Sequence, residues 1–438
     1  MKNNIKISEM LRHKAFWFMD AITGAKKRKH YDEIKFIIDN PTSLEAIESK
    51  KAHLYKILKH AVETVGYYKE NESYKTLEDF PIVNKNIIRS SFEDFQSKKY
   101  LELPKSIVST SGSTGTPFKV YQDNRKKIRN IADNIVFSEK VGFKIGYRLT
   151  YFRLWNAFEK KGILTRWIQN IVPIDVFDLK KKTVMDTIIS NLTKSTSSNS
   201  WLGYASAYQE ICKYLDQKKA LPIANNLKSI IAISEKLNDY TKQAIYTYFG
   251  IKVISRYSNV ENGIIAQQFL GEQEYFEINE ASYVVEVLEF DSDKKVKDGE
   301  SGRIVITDLF NYAMPMIRYD TGDVGVIGNK DSKVILTNIT GRKIDLIYDT
   351  TGEIISVNLV LIVNKYPELK QAQLIQKSSK GYHFKLNAEK EFIRQEEFLN
   401  EFKKYLGKDA KITVEYVDEI PLLASGKRRV MVNEMKNV

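Results

Sequence analysis

The strongest constraint on the fold is an alternation of apolar, β-rich runs with a helical stretch in the middle of the chain. Residues 227–234 (LKSIIAIS) and 252–257 (KVISRY) have strand character, and the stretch 237–248 between them has helical character. Two strands joined through a helix are typical of a parallel sheet covered by helices. We therefore expect a layered α/β domain in this part of the chain.

Different patterns lie on either side of this alternation. Strand-like runs follow at 282–290 and 303–309 without an intervening helix, which predicts a meander or a small barrel. The first hundred residues instead predict mainly helix, because Leu54, Leu58 and Ala61 recur at helical spacing. The large N-terminal domain is therefore expected to be helical first, then α/β, with a β-rich end.

A second, smaller domain is predicted after Arg342. Strand-like runs at 371–377 and 382–387 precede a helical stretch at 394–406 and a further strand at 411–417. A unit of about a hundred residues is large enough to form its own core. The predicted boundaries are 1–342 for the N-terminal domain, divided into 1–100 and 101–342, and 343–438 for a small α+β C-terminal domain.

Composition excludes several classes of function. The single cysteine, Cys212, excludes a disulfide framework and a cysteine-cluster metal site. No HExxH motif occurs and no histidine lies near a GxSxG, which disfavours zinc hydrolysis and an esterase triad. The N-terminus lacks the apolar core of a secretory signal, and no run of about 18 apolar residues occurs. We therefore expect a cytoplasmic location.

The net charge of +13 raises the question of a nucleic-acid or membrane partner. The densest basic run is Lys26–Lys29 (KKRK), and the aromatic residues Phe16, Trp17 and Phe18 precede it. Such a segment suits peripheral contact with anionic lipid or a polyanion. It equally suits a solvated helix end over a packed apolar stripe. Nothing in the chain resembles a nucleic-acid-binding module, so we expect no nucleic-acid partner.

A loop rich in hydroxyl groups and glycine is the clearest local motif. Residues 109–117 read Ser-Thr-Ser-Gly-Ser-Thr-Gly-Thr-Pro, after the apolar Ile107 and Val108 and before a predicted helix. Glycines let the backbone approach an anion closely, and hydroxyl groups add donors without bulk. It is not a Walker loop, because the GKS/T ending is missing. Taken alone, the run fits a phosphate site or a flexible loop.

Four later positions offer complementary chemistry, each with a simpler structural alternative. Tyr257 ends a predicted strand, where it offers a face for a base or simply packs, and Glu261 offers a carboxylate for Mg²⁺. Arg318–Asp323 (RYDTGD) places two carboxylates around a predicted tight turn, where Asp323 suits ribose hydroxyls or an Asx turn. Near the C-terminus, Lys427 follows Ser425-Gly426, either in a functional loop or in a solvated basic tail.

In this order, these motifs resemble the signature set of the adenylate-forming superfamily, which includes acyl-CoA synthetases and adenylation domains. The length, and Phe118 after Pro117, are most similar to the phenylacetate-CoA ligase branch and its CapK-like relatives of polysaccharide gene clusters. The resemblance covers nearly the whole chain, including the stretches 54–68, 78–89, 201–206 and 232–238.

The resemblance implies a role for each motif residue. Tyr257 would stack on adenine, Asp323 and Arg342 would bind the ribose, and Glu261 would ligate Mg²⁺. Lys427 would be catalytic, bridging the substrate carboxylate and the α-phosphate. The loop residues that would hold the ATP phosphates are Thr110, Ser111, Gly112, Ser113, Thr114, Gly115 and Thr116.

The resemblance also implies a mobile C-terminal domain that rotates between two half-reactions. Two positions depart from the family pattern. Ile344, with Asp345 beside it, stands where the hinge residue is usually Asp or Lys, so the hinge is not assigned. Val260 stands where Thr or Ser often precedes the glutamate, so one hydroxyl contact near the phosphates should be missing.

Two acceptors for the activated acyl group remain open. One is an amine or hydroxyl group, as in surface-polysaccharide synthesis, and the other is coenzyme A. No motif identifies the acid, although aromatic residues between 140 and 260 are candidates to line its pocket; these are Tyr151, Trp155, Trp201, Tyr204 and Tyr208. A polyanion-binding protein is a remote alternative that rests on the net charge alone. The sequence does not indicate an oligomeric state.

Overall fold

The computed structural model describes most of the chain. The described residues are 6–110, 118–155, 163–271, 274–331, 333–342, 347–353, 355, 363, 366, 368–388, 392–421 and 430–435.

Helices dominate the first hundred residues, as predicted. They are α1 (Ile7–Ile22), α2 (Lys26–Asp39), α3 (Leu44–Thr64) and the short α4 (Lys85–Ser90). Side chains define where two of them begin: Ser43 accepts a hydrogen bond from the backbone N–H of Ala46, and Asn84 accepts two at the start of α4. Each cap satisfies N–H groups that have no partner within the helix.

A strand hairpin follows, made of β1 (Lys105–Thr110) and β2 (Phe118–Asp123). The Ser/Thr/Gly loop therefore joins two antiparallel strands, and the prediction that a helix follows the loop directly is wrong. The helix α5 (Asn124–Glu139) begins only after β2, where Asp123 accepts a hydrogen bond from the N–H of Lys126.

One large mixed sheet organises the rest of the N-terminal part. Its parallel half contains β3 (Arg148–Arg153), β4 (Ile171–Asp175), β5 (Asn199–Tyr204), β6 (Leu227–Ile233) and β7 (Val253–Asn259). Helices α6 (Ile163–Gln169), α7 (Lys182–Lys194), α8 (Ala205–Gln217) and α9 (Asp239–Phe249) lie between these strands in the chain. The predicted α/β alternation is confirmed, with helix and strand bounds within a few residues of those expected.

The antiparallel half of the same sheet continues from β7. It contains β8 (Gly263–Gln268), β9 (Phe276–Ile278), β10 (Tyr283–Leu288), β11 (Ser301–Asp308), β12 (Tyr319–Lys330) and β13 (Lys333–Arg342). The strand order across the whole sheet is β10-β11-β12-β13-β9-β8-β7-β6-β5-β3-β4. The predicted meander is therefore present as β10 to β13, but it extends the main sheet.

A separate sheet forms near the C-terminus, with the order β16-β15-β14-β17. Its strands are β14 (Leu369–Gln376), β15 (Gly381–Ala388), β16 (Lys411–Tyr416) and β17 (Met431–Asn433), and its helix is α10 (Gln395–Leu406). Phe398 and Phe402 of α10 pack edge-on against Phe384 of β15, with ring centroids 5.0 and 4.7 Å apart. The predicted α/β architecture with a small α+β unit is thus observed.

The predicted tight turn at 318–323 lies at the start of β12, where the Asp320 carboxylate accepts a hydrogen bond from the Gly322 N–H at 2.8 Å. Arg318 is almost fully buried and donates to both carboxylate oxygens of Glu286 at 3.2 Å. Asp320 pairs with Arg303 at 3.2 Å. The two ion pairs therefore link the start of β12 to β10 and β11. Arg318 needs its partner because an unpaired buried charge is costly.

A polar cluster fastens α2 and α3 to α5. The guanidinium of Arg129, fully buried in α5, donates to Glu33 of α2 and to Ser282, and lies 3.8 Å from the ring centroid of Phe310. Burial, followed by the charge of Arg129, lowers the pKa of His30 to about 4. Burial alone would raise the pKa of Glu33, but the hydrogen bond with His53 and the charge of Arg129 lower it to about 2.

The cluster predicts acid-sensitive stability. Since the pKa of His30 falls from 6.5 to about 4 on folding, the unfolded chain takes up this proton first as the pH falls. The free energy of unfolding should therefore decrease as the pH falls from 6.5 to 4. The decrease should be less than about 1.4 kcal/mol per pH unit, because His30 is partly exposed.

The variant His30→Gln should flatten this part of the profile, as measured by urea unfolding at several pH values. At about pH 8 the histidine is neutral in both states, so the variant provides its own reference there. Equal slopes for the wild type and the variant would contradict the assignment.

Candidate active site

Tyr257 and Asp323, predicted from distant parts of the sequence, are in direct contact. Tyr257 lies at the end of β7, and its hydroxyl donates to the Asp323 carboxylate at 2.7 Å. The same hydroxyl lies 3.3 Å from the Thr321 hydroxyl. Burial and the charge of Asp323 raise the pKa of Tyr257 well above its usual value. The tyrosine therefore remains a proton donor to this carboxylate at physiological pH.

The backbone of β12 brings Asp323 to the same place as Arg342. Asp323 lies directly opposite Arg342 in the register of β12 and β13. The ladder with β11 is interrupted here, because Arg303 and Val305 face Val324 and Asp320. Gly322, between the paired positions, has a φ of +78°, a conformation that favours glycine.

Glu261 lies in a second cluster, just after β7. Its side chain is almost fully buried, and its Oε1 accepts a hydrogen bond from the Tyr319 hydroxyl at 2.8 Å. The ammonium group of Lys85 lies 2.9 Å from the same oxygen. The Glu261 backbone carbonyl accepts from the side chain of Gln122 at 2.9 Å. The carboxylate is therefore held in place by one cation and one hydroxyl group.

Lys85 is the residue that the sequence analysis missed. It begins α4, and the residues before it are fastened to β12: the Val83 N–H donates to the Arg318 carbonyl, and the Asp320 N–H donates to the Val83 carbonyl. The stretch 78–89 contributed to the family resemblance, but a lysine after a helix cap is ordinary on a surface. Only the contact with Glu261, distant in sequence, distinguishes it.

The ends of the Ser/Thr/Gly loop reach this second cluster. Thr110 and Phe118 are paired where β1 and β2 meet the loop. The Phe118 ring lies parallel to that of Tyr319, with centroids 6.2 Å apart, and the Lys85 ammonium lies 5.7 Å from the Phe118 centroid. The two strand ends that flank the loop therefore lie near the cluster that contains the Glu261 carboxylate.

Several predicted site residues cannot be placed. The loop residues Ser111, Gly112, Ser113, Thr114, Gly115 and Thr116, the side chains of Thr110 and Arg342, the hinge positions Ile344 and Asp345, and Lys427 lie outside the described residues. The roles of these residues stay predictions from the sequence. Among the described residues, no group of three or more His, Cys, Asp or Glu side chains could hold a metal ion.

The aromatic candidates for an acid pocket divide into two groups. Trp201 and Tyr208 are buried in the core between the sheet and its helices, where the Tyr208 hydroxyl donates to the Ile231 carbonyl. Tyr151, Trp155 and Tyr204 are only half-buried. The guanidinium carbon of Arg153 lies 4.2 Å from the Trp155 ring centroid and 5.1 Å from that of Tyr151. The core position of Trp201 and Tyr208 favours a packing role for these two rings.

Comparison with known proteins relates this architecture to one group. The family model of the CapK C-terminal domain matches residues 346–434. Protein CapK of Staphylococcus aureus is 24% identical over 440 residues, covering 93% of this chain and 93% of CapK. These matches, together with the structural similarities below, confirm the resemblance to adenylate-forming, CapK-like proteins.

Solved structures share the fold at low sequence identity. A 2-hydroxyisobutyryl-CoA ligase in its postadenylation state, in complex with 2-HIB-AMP, has a TM-score of 0.68 at 16% identity and covers 90% of both chains. In its thioesterification state, with 2-HIB-AMP and CoA, the TM-score is 0.56 at 17% identity, with 90% of this chain and 92% of that chain covered. ATP-bound MatB from Rhodopseudomonas palustris has a TM-score of 0.54 at 16% identity, covering 74% and 66%. The two-part architecture is therefore that of adenylate-forming ligases.

The ion pair between half-buried Lys85 and buried Glu261 predicts a measurable coupling. Lys85→Met should lower the free energy of unfolding by about 1–3 kcal/mol, because it leaves the buried Glu261 carboxylate without its cation. The double variant Lys85→Met/Glu261→Gln should recover much of this loss, since the neutral amide needs no cation. Urea unfolding of both variants measures the difference.

The control is Lys295→Met, which breaks an exposed ion pair with Glu78 and should cost less than about 1 kcal/mol. A double variant no more stable than Lys85→Met alone would show that Lys85 does not compensate the Glu261 charge.

Proposed function

We propose that the protein is an AMP-forming ligase that activates a carboxylic acid with ATP and releases pyrophosphate. The observation that carries the proposal is the arrangement of two clusters at the end of β7. Tyr257 contacts Asp323 opposite Arg342, and Glu261 contacts Lys85 beside the ends of the Ser/Thr/Gly loop. A group suited to ribose thus lies near a group suited to phosphates, as ATP requires.

The first cluster is assigned to the nucleoside. The Asp323 carboxylate is an acceptor for the ribose hydroxyls, and the Tyr257 hydroxyl, which donates to it at 2.7 Å, holds it in one orientation. Arg342 lies opposite Asp323 in the backbone register of β12 and β13, and we assign it to the ribose and its phosphate. The Tyr257 ring is assigned to adenine, as the family resemblance implies.

The second cluster is assigned to Mg²⁺ and the phosphates. A hard cation prefers carboxylate and phosphate oxygens, so one buried carboxylate beside a phosphate loop fits Mg²⁺ without further protein ligands. When bound, Mg²⁺ would offset charge on the phosphates. The Lys85 ammonium lies 2.9 Å from Glu261 Oε1. When Mg²⁺ also neutralises this carboxylate, the ammonium would be able to contact the phosphates. Thr110–Thr116 are assigned to the same phosphates.

Lys427 is assigned to the adenylating step. The substrate carboxylate attacks the α-phosphorus, so two anions must approach each other, and a lysine between them offsets the repulsion as the transition state forms. The product is an acyl-adenylate. We place Lys427 in a mobile C-terminal domain, residues 343–438, and keep 1–342 as the nucleotide-binding domain.

The proposed second step transfers the acyl group to an amine or hydroxyl group, with surface-polysaccharide synthesis in the cytoplasm as the context. The resemblance to CapK-like relatives of polysaccharide gene clusters supports this acceptor, and the similarity to CapK extends over 93% of this chain. Coenzyme A is the second candidate, favoured by the fold similarity to a CoA ligase that was solved with CoA. Both candidates share the adenylating site and differ only in the group that attacks the acyl-adenylate.

Substitution of the catalytic lysine tests the first step. Lys427→Ala should lower acid-dependent ATP–pyrophosphate exchange by a factor on the order of 10²–10³, by analogy with removed electrostatic donors. ATP binding, measured by calorimetry, should remain nearly unchanged, because the adenine and ribose contacts are elsewhere. The exchange assay uses a library of carboxylic acids.

The matched control is Lys408→Ala, which removes an exposed lysine between α10 and β16 in the same C-terminal unit. Exchange at the wild-type rate in Lys427→Ala would refute the role of the lysine.

The acceptor is tested by product analysis. Purified protein with ATP, Mg²⁺ and the acid that supports exchange should release AMP faster when the true acceptor is added. We expect amines or hydroxyl compounds, such as amino sugars, to stimulate release and to form an ester or amide that mass spectrometry detects. Acyl-CoA formed when coenzyme A is supplied would instead establish the second candidate.

A further inference from the structure

The N-terminal helix α1 has its apolar face turned outward. Six large apolar side chains of this helix are exposed, and together they form what we call the outward stripe: Ile7 (73% exposed), Met10 (41%), Leu11 (50%), Phe18 (65%), Met19 (40%) and Ile22 (62%). Ile7, Leu11, Phe18 and Ile22 follow each other at intervals of four, seven and four, so they share one face of the helix. The stripe runs the full length of α1, roughly 24 Å for 16 residues.

The opposite face of α1 carries two buried acidic residues. The side chains of Glu9 and Asp20 are both 1% exposed. Glu9 accepts hydrogen bonds from the N–H and the hydroxyl of Ser198 at 2.7 and 3.3 Å, and Asp20 accepts from the N–H groups of Lys27 and Arg28 at 3.0 and 2.8 Å. A surface helix normally buries its apolar face and exposes its charges. Here specific polar contacts hold the reversed orientation.

The sequence analysis left open whether the aromatic residues before Lys26–Lys29 form a packed stripe. Phe16 and Trp17 are half-buried, and Trp17 packs edge-on against Tyr31 at 5.2 Å. Phe18 is exposed. The predicted packed stripe is therefore found for Phe16 and Trp17, whereas Phe18 lies on the exposed side of the helix with the outward stripe.

The exposed charged side chains of α1 itself are basic. Lys14, at the helical position between Leu11 and Phe18, is exposed. Lys26 and Lys29 at the start of α2 are exposed as well. Both acidic residues of α1 are buried, and on α2 the nearby Asp32 is already paired with Arg28 at 2.9 Å. The surface is thus apolar and cationic, which matches an anionic lipid interface.

Trp167 is a further exposed aromatic residue beside α1. It belongs to α6, which packs beside α1, and its ring is 43% exposed. Arg12 of α1 donates to the Trp167 carbonyl at 3.1 Å and lies over its ring. Tryptophan is enriched where an apolar region meets water, including the headgroup level of membranes.

We propose that the outward stripe of α1 docks the protein on the surface of an anionic lipid bilayer, with the helix lying parallel to the membrane plane. Ile7, Leu11, Phe18 and Ile22 enter the interface, and Lys14 extends to a lipid phosphate. None of the described helices has the length and hydropathy to cross a bilayer, so α1 binds on the surface without spanning it.

Lys14 distinguishes a lipid surface from a second copy of the chain. In a symmetric dimer through this face, the stripe of the partner would offer Lys14 only apolar groups and another Lys14, since the acidic side chains of α1 are buried. The ammonium group would lose water without gaining a partner. At a lipid surface the same side chain reaches the headgroup phosphates while its methylene groups stay in the interface.

Vesicle co-sedimentation of the full chain tests the proposal. The protein should pellet with vesicles in which one third of the lipid is phosphatidylglycerol, and much less with pure phosphatidylcholine vesicles. Phe18→Glu should weaken the partition at least about tenfold, because a buried aromatic side chain is replaced by a charge that the lipid repels. Lys14→Gln should weaken it about fivefold.

The matched control is Ile393→Glu, which places the same charge at an apolar residue that is 89% exposed in the C-terminal unit. This variant should bind vesicles like the wild type. Since Phe18 and Ile393 are both exposed, both variants should keep the wild-type melting temperature, which separates lost lipid binding from lost folding. The three variants lie outside the proposed nucleotide site, so the proposed activity does not enter the test.

Two outcomes would overturn the proposal. One is equal vesicle binding by Phe18→Glu and the wild type, which would show that the stripe is not the docking surface. The other is no binding by the wild type, together with a concentration-dependent dimer in sedimentation velocity that Phe18→Glu abolishes. That result would assign the stripe to a second copy of the chain.

Discussion

A buried carboxylate without a cation is too costly to keep, and the candidate site is built around this constraint. Glu261 is 1% exposed, and its charge is compensated by Lys85 while Tyr319 donates a hydrogen bond. These three residues come from the end of β7, from the start of α4 and from β12. Their contact therefore connects the helical N-terminal region to both halves of the main sheet. The backbone pairing of Val83 with β12 holds Lys85 in position for it.

The alternation of side chains along β12 divides its residues between structure and site. Tyr319, Thr321 and Asp323 are odd-numbered, and their side chains contact Glu261 or Tyr257. Asp320 is on the other face and pairs with Arg303. Because successive side chains of a strand point to opposite faces, only one of the two carboxylates in this motif reaches the candidate nucleotide site. One face of β12 thus carries candidate site residues, and the other face carries an ion pair with the neighbouring strand β11.

The need to pair buried polar groups also explains why α1 buries its acidic residues and exposes its apolar face. Its two buried carboxylates, Glu9 and Asp20, receive N–H donors from Ser198, Lys27 and Arg28, so their burial is compensated. Gly146 permits this close docking, because a Cβ there would lie 2.3 Å from the Glu9 carbonyl oxygen. The apolar side of the helix is left outward, where water contact is unfavourable and a lipid surface would relieve it.

The sequence by itself determined the α/β class and most helix and strand bounds, and it predicted Tyr257, Glu261 and Asp323 as candidate site residues, because hydrophobic periodicity and local motifs are short-range signals. Only the tertiary structure showed that the Ser/Thr/Gly loop joins the two strands of a hairpin and that Asp320 pairs with Arg303. It also showed that Lys85 contacts Glu261 and that the apolar face of α1 is exposed. Each of these depends on contacts between residues far apart in the chain. A single sequence carries no direct record of such contacts, since pairing across a sheet or a helix interface follows from the packing of the whole domain.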